Sequence, residues 1–167
     1  MKFNKSGFTL IELIAVIAVL AVLAAVALPR FINFGKSARI AALNGLAGTL
    51  NSTANMGYAM CLAQPSVCNP TVSACSGSYP YFMNGSNKIY THYGWPSGWG
   101  ACWVNTTSGS IVDLIQLSSD FSWSTQPGNF NGIFQLQNSP DPTNCKVVYL
   151  LNSSSQTMVV SIESSGC

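Results

Sequence analysis

Apolar and polar positions divide the chain into three textures. In residues 8–28 only Thr9 and Glu12 are polar, and beyond Glu12 no polar side chain occurs up to Leu28. At about 1.5 Å per residue, a helix of that length reaches roughly 30 Å, the thickness of a bilayer's hydrocarbon core. Residues 30–62 then change rhythm. Ile40, Leu43, Ala47, Leu50, Ala54, Tyr58 and Cys61 recur at three- and four-residue steps, while Asn44, Asn51, Ser52 and Asn55 fall on the other side. That period predicts an amphipathic helix, with Gly45 and Gly48 permitting close approach. Pro29 lies between the two stretches, where its missing N–H and its ring predict a kink or a loosened turn.

From Pro65 the chain turns to Pro, Ser, Gly and Asn, and residues 64–82 read as loop. Strand candidates follow at residues 101–105, 109–117, 132–136, 146–152 and 157–162. "VVYLL" and "TMVVSI" are the strongest of these, with residues 152–156 as their hairpin loop. A long helix followed by consecutive strands predicts an α+β fold with an antiparallel sheet on the helix.

Charge is sparse and informative. Only 7% of the residues are charged, and Lys2 and Lys5 precede the apolar run with no acid beside them. Basic flanks stay cytoplasmic, which places residues 1–7 inside and predicts export of the rest. Beyond residue 7 there remain five Lys and Arg (7 − 2) against five Asp and Glu, a sum of zero. No basic stripe marks a nucleic-acid surface. All six cysteines, Cys61, Cys68, Cys75, Cys102, Cys145 and Cys167, lie after the apolar run. An even count on the exported side predicts disulfides in an oxidising compartment. Zinc is disfavoured, since no C-x-x-C pair occurs and His92 is the single histidine.

Three readings compete for the first 28 residues. A secretory signal peptide would use Ala25-Val26-Ala27 as its small-x-small cleavage site, and a plain transmembrane anchor is the second. Neither accounts for Glu12, because an acid near the centre of such a helix costs about 2.5–3.5 kcal/mol on insertion scales, less toward an end. The third reading comes from the residues around it. Gly7 followed by Phe8-Thr9-Leu10-Ile11-Glu12 resembles the class III signal sequence of type IV pilins and secretion pseudopilins.

The resemblance implies a type IV pilin fold and a definite organisation. Residues 1–7 would be a leader removed by prepilin peptidase between Gly7 and Phe8, with N-methylation of Phe8. Residues 8–35 would be a membrane-spanning and filament-core helix, and residues 36–167 a globular head. Cleavage creates an α-amino group on Phe8, largely protonated at neutral pH. Paired with Glu12 it offsets much of the cost of burying either charge. The resemblance implies that this pairing docks an incoming subunit, and that Pro29 lets the helix loosen during assembly. The expected function is the structural subunit of a type IV pilus for surface attachment. It would sit in the inner membrane before assembly and in the extracellular fibre afterwards. Its partners would be copies of itself, the peptidase and the pilus assembly machinery, with no cofactor and no nucleic acid. A minor pilin, a type II secretion pseudopilin, or a glycan-binding adhesin subunit are the alternatives.

The pilin resemblance also implies a disulfide near the C-terminus, and Cys145 and Cys167 match it. The other four cysteines allow three pairings. Cys61–Cys102, tying helix to sheet, and Cys68–Cys75 within the loop are the expected pair. "HYGWPSG" (92–98) and "CKVVYL" (145–150) with the final Gly-Cys resemble the mannose-sensitive haemagglutinin pilins, from which the four additional cysteines depart.

Catalysis finds little to work with. Asp113, Asp120, Asp141 and Glu163 are widely spaced, and a lone His92 beside Tyr93 makes no triad. No enzymatic activity is expected. Asp141 is the candidate for a calcium site, although oxygen cages need several closely spaced ligands. The aromatics Tyr79, Tyr81, Phe82, Tyr90, Tyr93, Trp95, Trp99 and Trp103 could stack on sugar rings if exposed. Packing the head is the expected role, since a small sheet needs large apolar residues for its core.

Overall fold

The computed structural model describes residues 8–71, 80–99, 109–125 and 130–167, with the backbone alone for residues 29–33. The chain forms two compact units, Met1–Ala38 and Arg39–Cys167. Helix α1, Leu10–Ala63, contributes to both.

In the first unit α1 presents apolar side chains on all sides. Leu10, Ile11, Leu13, Ile14, Val16, Ile17 and Val19 are each about half exposed or more. The stretch Leu10–Leu28 is long and apolar enough to cross a membrane. The helix runs through Pro29.

The second unit is α+β. The lower half of α1 buries Leu43, Ala47, Leu50 and Ala54 in one cluster with Phe134, Leu136, Val147, Tyr149 and Leu151. The three- and four-residue spacing puts these helix positions on one face. The sheet positions alternate because successive strand residues point to opposite sides. Burying a Leu fully stabilises by about 1.5–3 kcal/mol, so Leu43 and Leu50, both fully buried, anchor this face.

Four antiparallel strands form the larger sheet in the order β4 (Phe121–Thr125), β5 (Gly132–Leu136), β6 (Lys146–Asn152), β7 (Thr157–Glu163). Register pairs Tyr149 with Val160 and Phe134 with both Trp123 and Val147. A smaller sheet carries β1 (Tyr81–Asn84), β2 (Asn87–His92) and β3 (Trp95–Pro96). The β2–β3 turn is Tyr93-Gly94 with φ of 51° and 83°, the mirror-image turn geometry that suits a two-residue hairpin. Pro96 ends β3 after two residues, since proline cannot donate to a ladder. The Tyr149 hydroxyl donates to the Pro96 carbonyl at 2.7 Å and links the two sheets inside the core.

Helix α1 comes close to β3 at Gly57. A Cβ there would meet the Pro96 ring at 2.3 Å. The helix ends at Ala63, just before Pro65. Gln64 then accepts from the Met83 N–H at 2.8 Å and donates to the Met83 carbonyl at 3.2 Å, fastening β1 to the helix end.

Several expectations are corrected here. Residues 109–117 are not a strand. Ser110 and Asp113 form a reciprocal capping box around a 3₁₀ turn at Ile111–Leu114, with Gly109 at φ 84° before it. Residues 81 and 82, expected in loop, begin β1, and β2, β3 and β4 are strands beyond the expected set. The expected strand at 101–105 lies outside the described residues. The cysteine pairing also differs. Cys61 bonds Cys68, not Cys102, so Cys68 is not bonded to Cys75. The cause is the chain reversal after Ala63, which brings the two Cα atoms to 5.2 Å. Cys75 and Cys102 lie outside the described residues. Cys145 bonds Cys167.

Candidate functional site

The start of α1 is built by a threonine and an acid. Thr9 precedes the first helical residue and Glu12 is the third residue inside. The Thr9 N–H donates to Glu12 Oε2 at 2.9 Å, and the Thr9 hydroxyl donates to the same oxygen at 2.7 Å. In return the Glu12 N–H donates to Thr9 Oγ1 at 3.4 Å. This is a capping box, in which two N–H groups left open at a helix start are satisfied reciprocally. The carboxylate also lies at the positive end of the helix dipole. Glu12 is therefore not an isolated charge in an apolar helix, since its own chain supplies two donors.

Phe8 is the residue before this cap, and its side chain is 80% exposed. The sequence alone places Thr9 there, and the T-x-x-E spacing before an apolar run is the signal that marks it. Gly7 and the cleavage position before Phe8 lie outside the described residues. So does the side chain of Pro29.

A second region surrounds the C-terminal disulfide. Cys145 and Cys167, both buried, enclose the β6–β7 hairpin. Arg39 donates to the Cys167 carbonyl at 2.7 Å, and the Gly166 N–H donates to Asn144 O at 2.9 Å. Asp141 caps the 3₁₀ turn at Pro142–Asn144. Donation from the Asn144 amide at 2.7 Å holds its carboxyl below the usual carboxylate range, with the Thr143 N–H assisting. Its oxygens thus serve the local turn. Among the described residues no group of three or more His, Cys, Asp or Glu could hold a metal ion.

His92 lies inside the fold, only 2% exposed. Its ring stacks on Phe130, and its Nε2 lies 3.1 Å from Ser153 Oγ in the β6–β7 turn. Burial pushes its pKa down to about 4, so it is neutral at neutral pH. Burial likewise raises the Tyr149 phenol well above its ordinary value.

The described members of the aromatic group are all buried or half-buried: Tyr81, Phe82, Tyr90, Tyr93, Trp95 and Trp99. Trp95 stacks on Tyr58 of α1 with ring centroids 4.5 Å apart, and its indole N–H donates to the Gln156 carbonyl. Phe82 and Trp95 pack in the core clusters of the head. Tyr79 and Trp103 lie outside the described residues.

Comparison with known proteins adds one match. Residues 2–28 match the prokaryotic N-terminal methylation motif. No curated protein and no solved structure matches the chain. The motif identifies the amino-terminal segment as the class III signal of type IV pilin-like and pseudopilin precursors. The long apolar helix, antiparallel sheets and two described disulfides are consistent with the α+β fold of a pilin. A motif of this kind implies processing by prepilin peptidase and membrane anchoring before assembly.

Proposed function

We propose that this chain is the structural subunit of a type IV pilus, made as a membrane-anchored precursor and polymerised into an extracellular fibre for surface attachment. One observation carries the reading. The methylation motif at residues 2–28 coincides with a helix whose apolar side chains are exposed from Leu10 through Leu28. Such a surface requires an apolar environment, and a bilayer and a fibre core both supply one.

In this reading the peptidase cuts between Gly7 and Phe8 on the cytoplasmic side, and the new Phe8 amine is methylated. Residues 8–35 hold the subunit in the inner membrane and later pack in the fibre. Residues 36–167 form the exported head. The two described disulfides support exposure to an oxidising compartment. Glu12 pairs with a Phe8 amine in the growing fibre. The pair favours one axial register, because a buried charge without its partner is strongly disfavoured.

The test is the mass of the chain in sheared surface filaments. The reading expects a chain starting at Phe8 with one added methyl, as the chief component of the filaments. A chain starting at Leu28 would mean ordinary secretion and overturn it. Trace amounts in filaments made of another subunit would assign it to the minor pilins or pseudopilins.

A further inference from the structure

Thr9 is one of two polar residues in the apolar run, and its hydrogen bonds give it a task that the motif leaves unassigned. Resting on the reading of Glu12 as the docking acid, we propose that Thr9 is a positioning residue for assembly. It holds one oxygen of the Glu12 carboxylate on the helix's own first turn and leaves the other oxygen to face the incoming Phe8 amine.

The geometry supports this in three steps. First, both Thr9 donors converge on the same atom, Oε2, at 2.9 and 2.7 Å. A carboxylate offers two oxygens with about four acceptor sites, so the whole of Oε1 is left for another donor. Among the described residues no hydrogen bond to Oε1 occurs, and Glu12 is exposed. Second, a glutamate side chain is otherwise free to rotate, and hydrogen bonds to an ionised acceptor are stronger than those between neutral groups. The Thr9 hydroxyl therefore fixes the rotamer before docking, and the ordering cost is met within the subunit. Third, the bond cut in maturation precedes Phe8, so both Thr9 donors remain in the mature chain. The same box holds the acid in the stored subunit, where an apolar surrounding penalises a carboxylate without donors.

The hydroxyl has two separable effects, capping the helix and donating to Glu12. Glycine at an N-cap position weakens a helix only slightly relative to threonine, whereas valine caps poorly. Neither residue has a hydroxyl. Serine retains it.

The experiment uses the full-length chain in piliated cells with Thr9→Ser, Thr9→Gly, Thr9→Val and Glu12→Gln. It measures sheared filaments against the membrane pool, and the N-terminal mass of that pool. The expected result is near wild-type assembly for Thr9→Ser. Thr9→Gly and Thr9→Val should both fall about tenfold, with their membrane pools still cleaved before Phe8; a hydrogen bond to a charged group is worth at least that factor. Wild-type assembly by Thr9→Gly with a defect in Thr9→Val would reduce Thr9 to a helix cap and overturn the proposal. Loss of cleavage in Thr9→Gly and Thr9→Val would make Thr9 a peptidase determinant and overturn it as well. If Glu12→Gln blocks assembly while Thr9→Val assembles normally, only the role of Thr9 falls. If Glu12→Gln assembles normally, the reading of Glu12 itself falls.

Discussion

The imidazole of His92 lies face to face with the ring of Phe130, their centroids 3.8 Å apart and their planes 19° from parallel. Its Nε2 meets Ser153 in the β6–β7 turn, and three residues on, Trp95 holds Gln156 of the same turn. The β2–β3 hairpin thus clasps the β6–β7 turn through two rings, of which the imidazole accepts a proton only at a cost.

This predicts an acid-sensitive head. His92 titrates near 4 when folded and near 6.5 when unfolded, so between those values the unfolded chain binds more protons. The stability it contributes is fully present above pH 6.5 and is lost as pH falls toward 4. The shift corresponds to about 3 kcal/mol at most. The depressed Asp141 carboxyl adds a loss in the same direction at still lower pH. Thermal unfolding of the purified subunit from pH 7.5 to 4 is the measurement. His92→Phe, which can still stack on Phe130, should flatten the slope in that window.

The two described disulfides should differ in worth. Their sequence separations are 22 and 7 residues. Chain-entropy arguments give about 3.4 kcal/mol for the longer loop and about 2.4 kcal/mol for the shorter. Replacing Cys145 and Cys167 together by serine should therefore lower the melting temperature more than replacing Cys61 and Cys68. Peptide mapping of the non-reduced protein should return both links, and a Cys61–Cys102 link would contradict the fold described.

Gly57→Ala tests the approach of α1 to β3. In a helix interior the change should stabilise by about 0.5–1 kcal/mol through backbone entropy. Here the new methyl would meet the Pro96 ring at 2.3 Å. Overpacking costs about 1–3 kcal/mol, and a proline ring yields little, so the clash wins. Net destabilisation in a denaturant titration is the expected outcome, and a stabilised variant would place Pro96 elsewhere.

Lys146→Ala should have little effect. Its ammonium lies 3.0 Å from Glu163 across β6 and β7, but the glutamate side chain is 42% exposed. Exposed pairs contribute about 0.2–1 kcal/mol. Leu50→Ala, at a fully buried position, should cost about 2–5 kcal/mol in the same assay. Comparing the two separates surface charge from core packing.

The sequence by itself determined what local pattern can determine. The apolar run at 8–28, the period that placed Leu43, Leu50 and Ala54 on one face, and the alternating strands β5, β6 and β7 were all legible, because helix and strand impose fixed side-chain periods. The motif at Gly7, Phe8 and Glu12 was legible for a different reason, since its residues lie within one six-residue stretch. Tertiary structure decided the rest. The run 109–117 is rich in Ile, Val and Leu like a buried strand, yet the Ser110–Asp113 box bends it into a turn. The short strands β1 and β3 form only because each finds a partner in β2. Seven residues of continuous helix would hold Cys61 and Cys68 about 10 Å apart, and only the reversal after Ala63 lets them bond. His92 looks like any lone histidine until Phe130, 38 residues on, lies against its ring. Periodicity is a property of neighbours in sequence, whereas burial, pairing and disulfide choice depend on which distant residues the fold brings within a few ångströms.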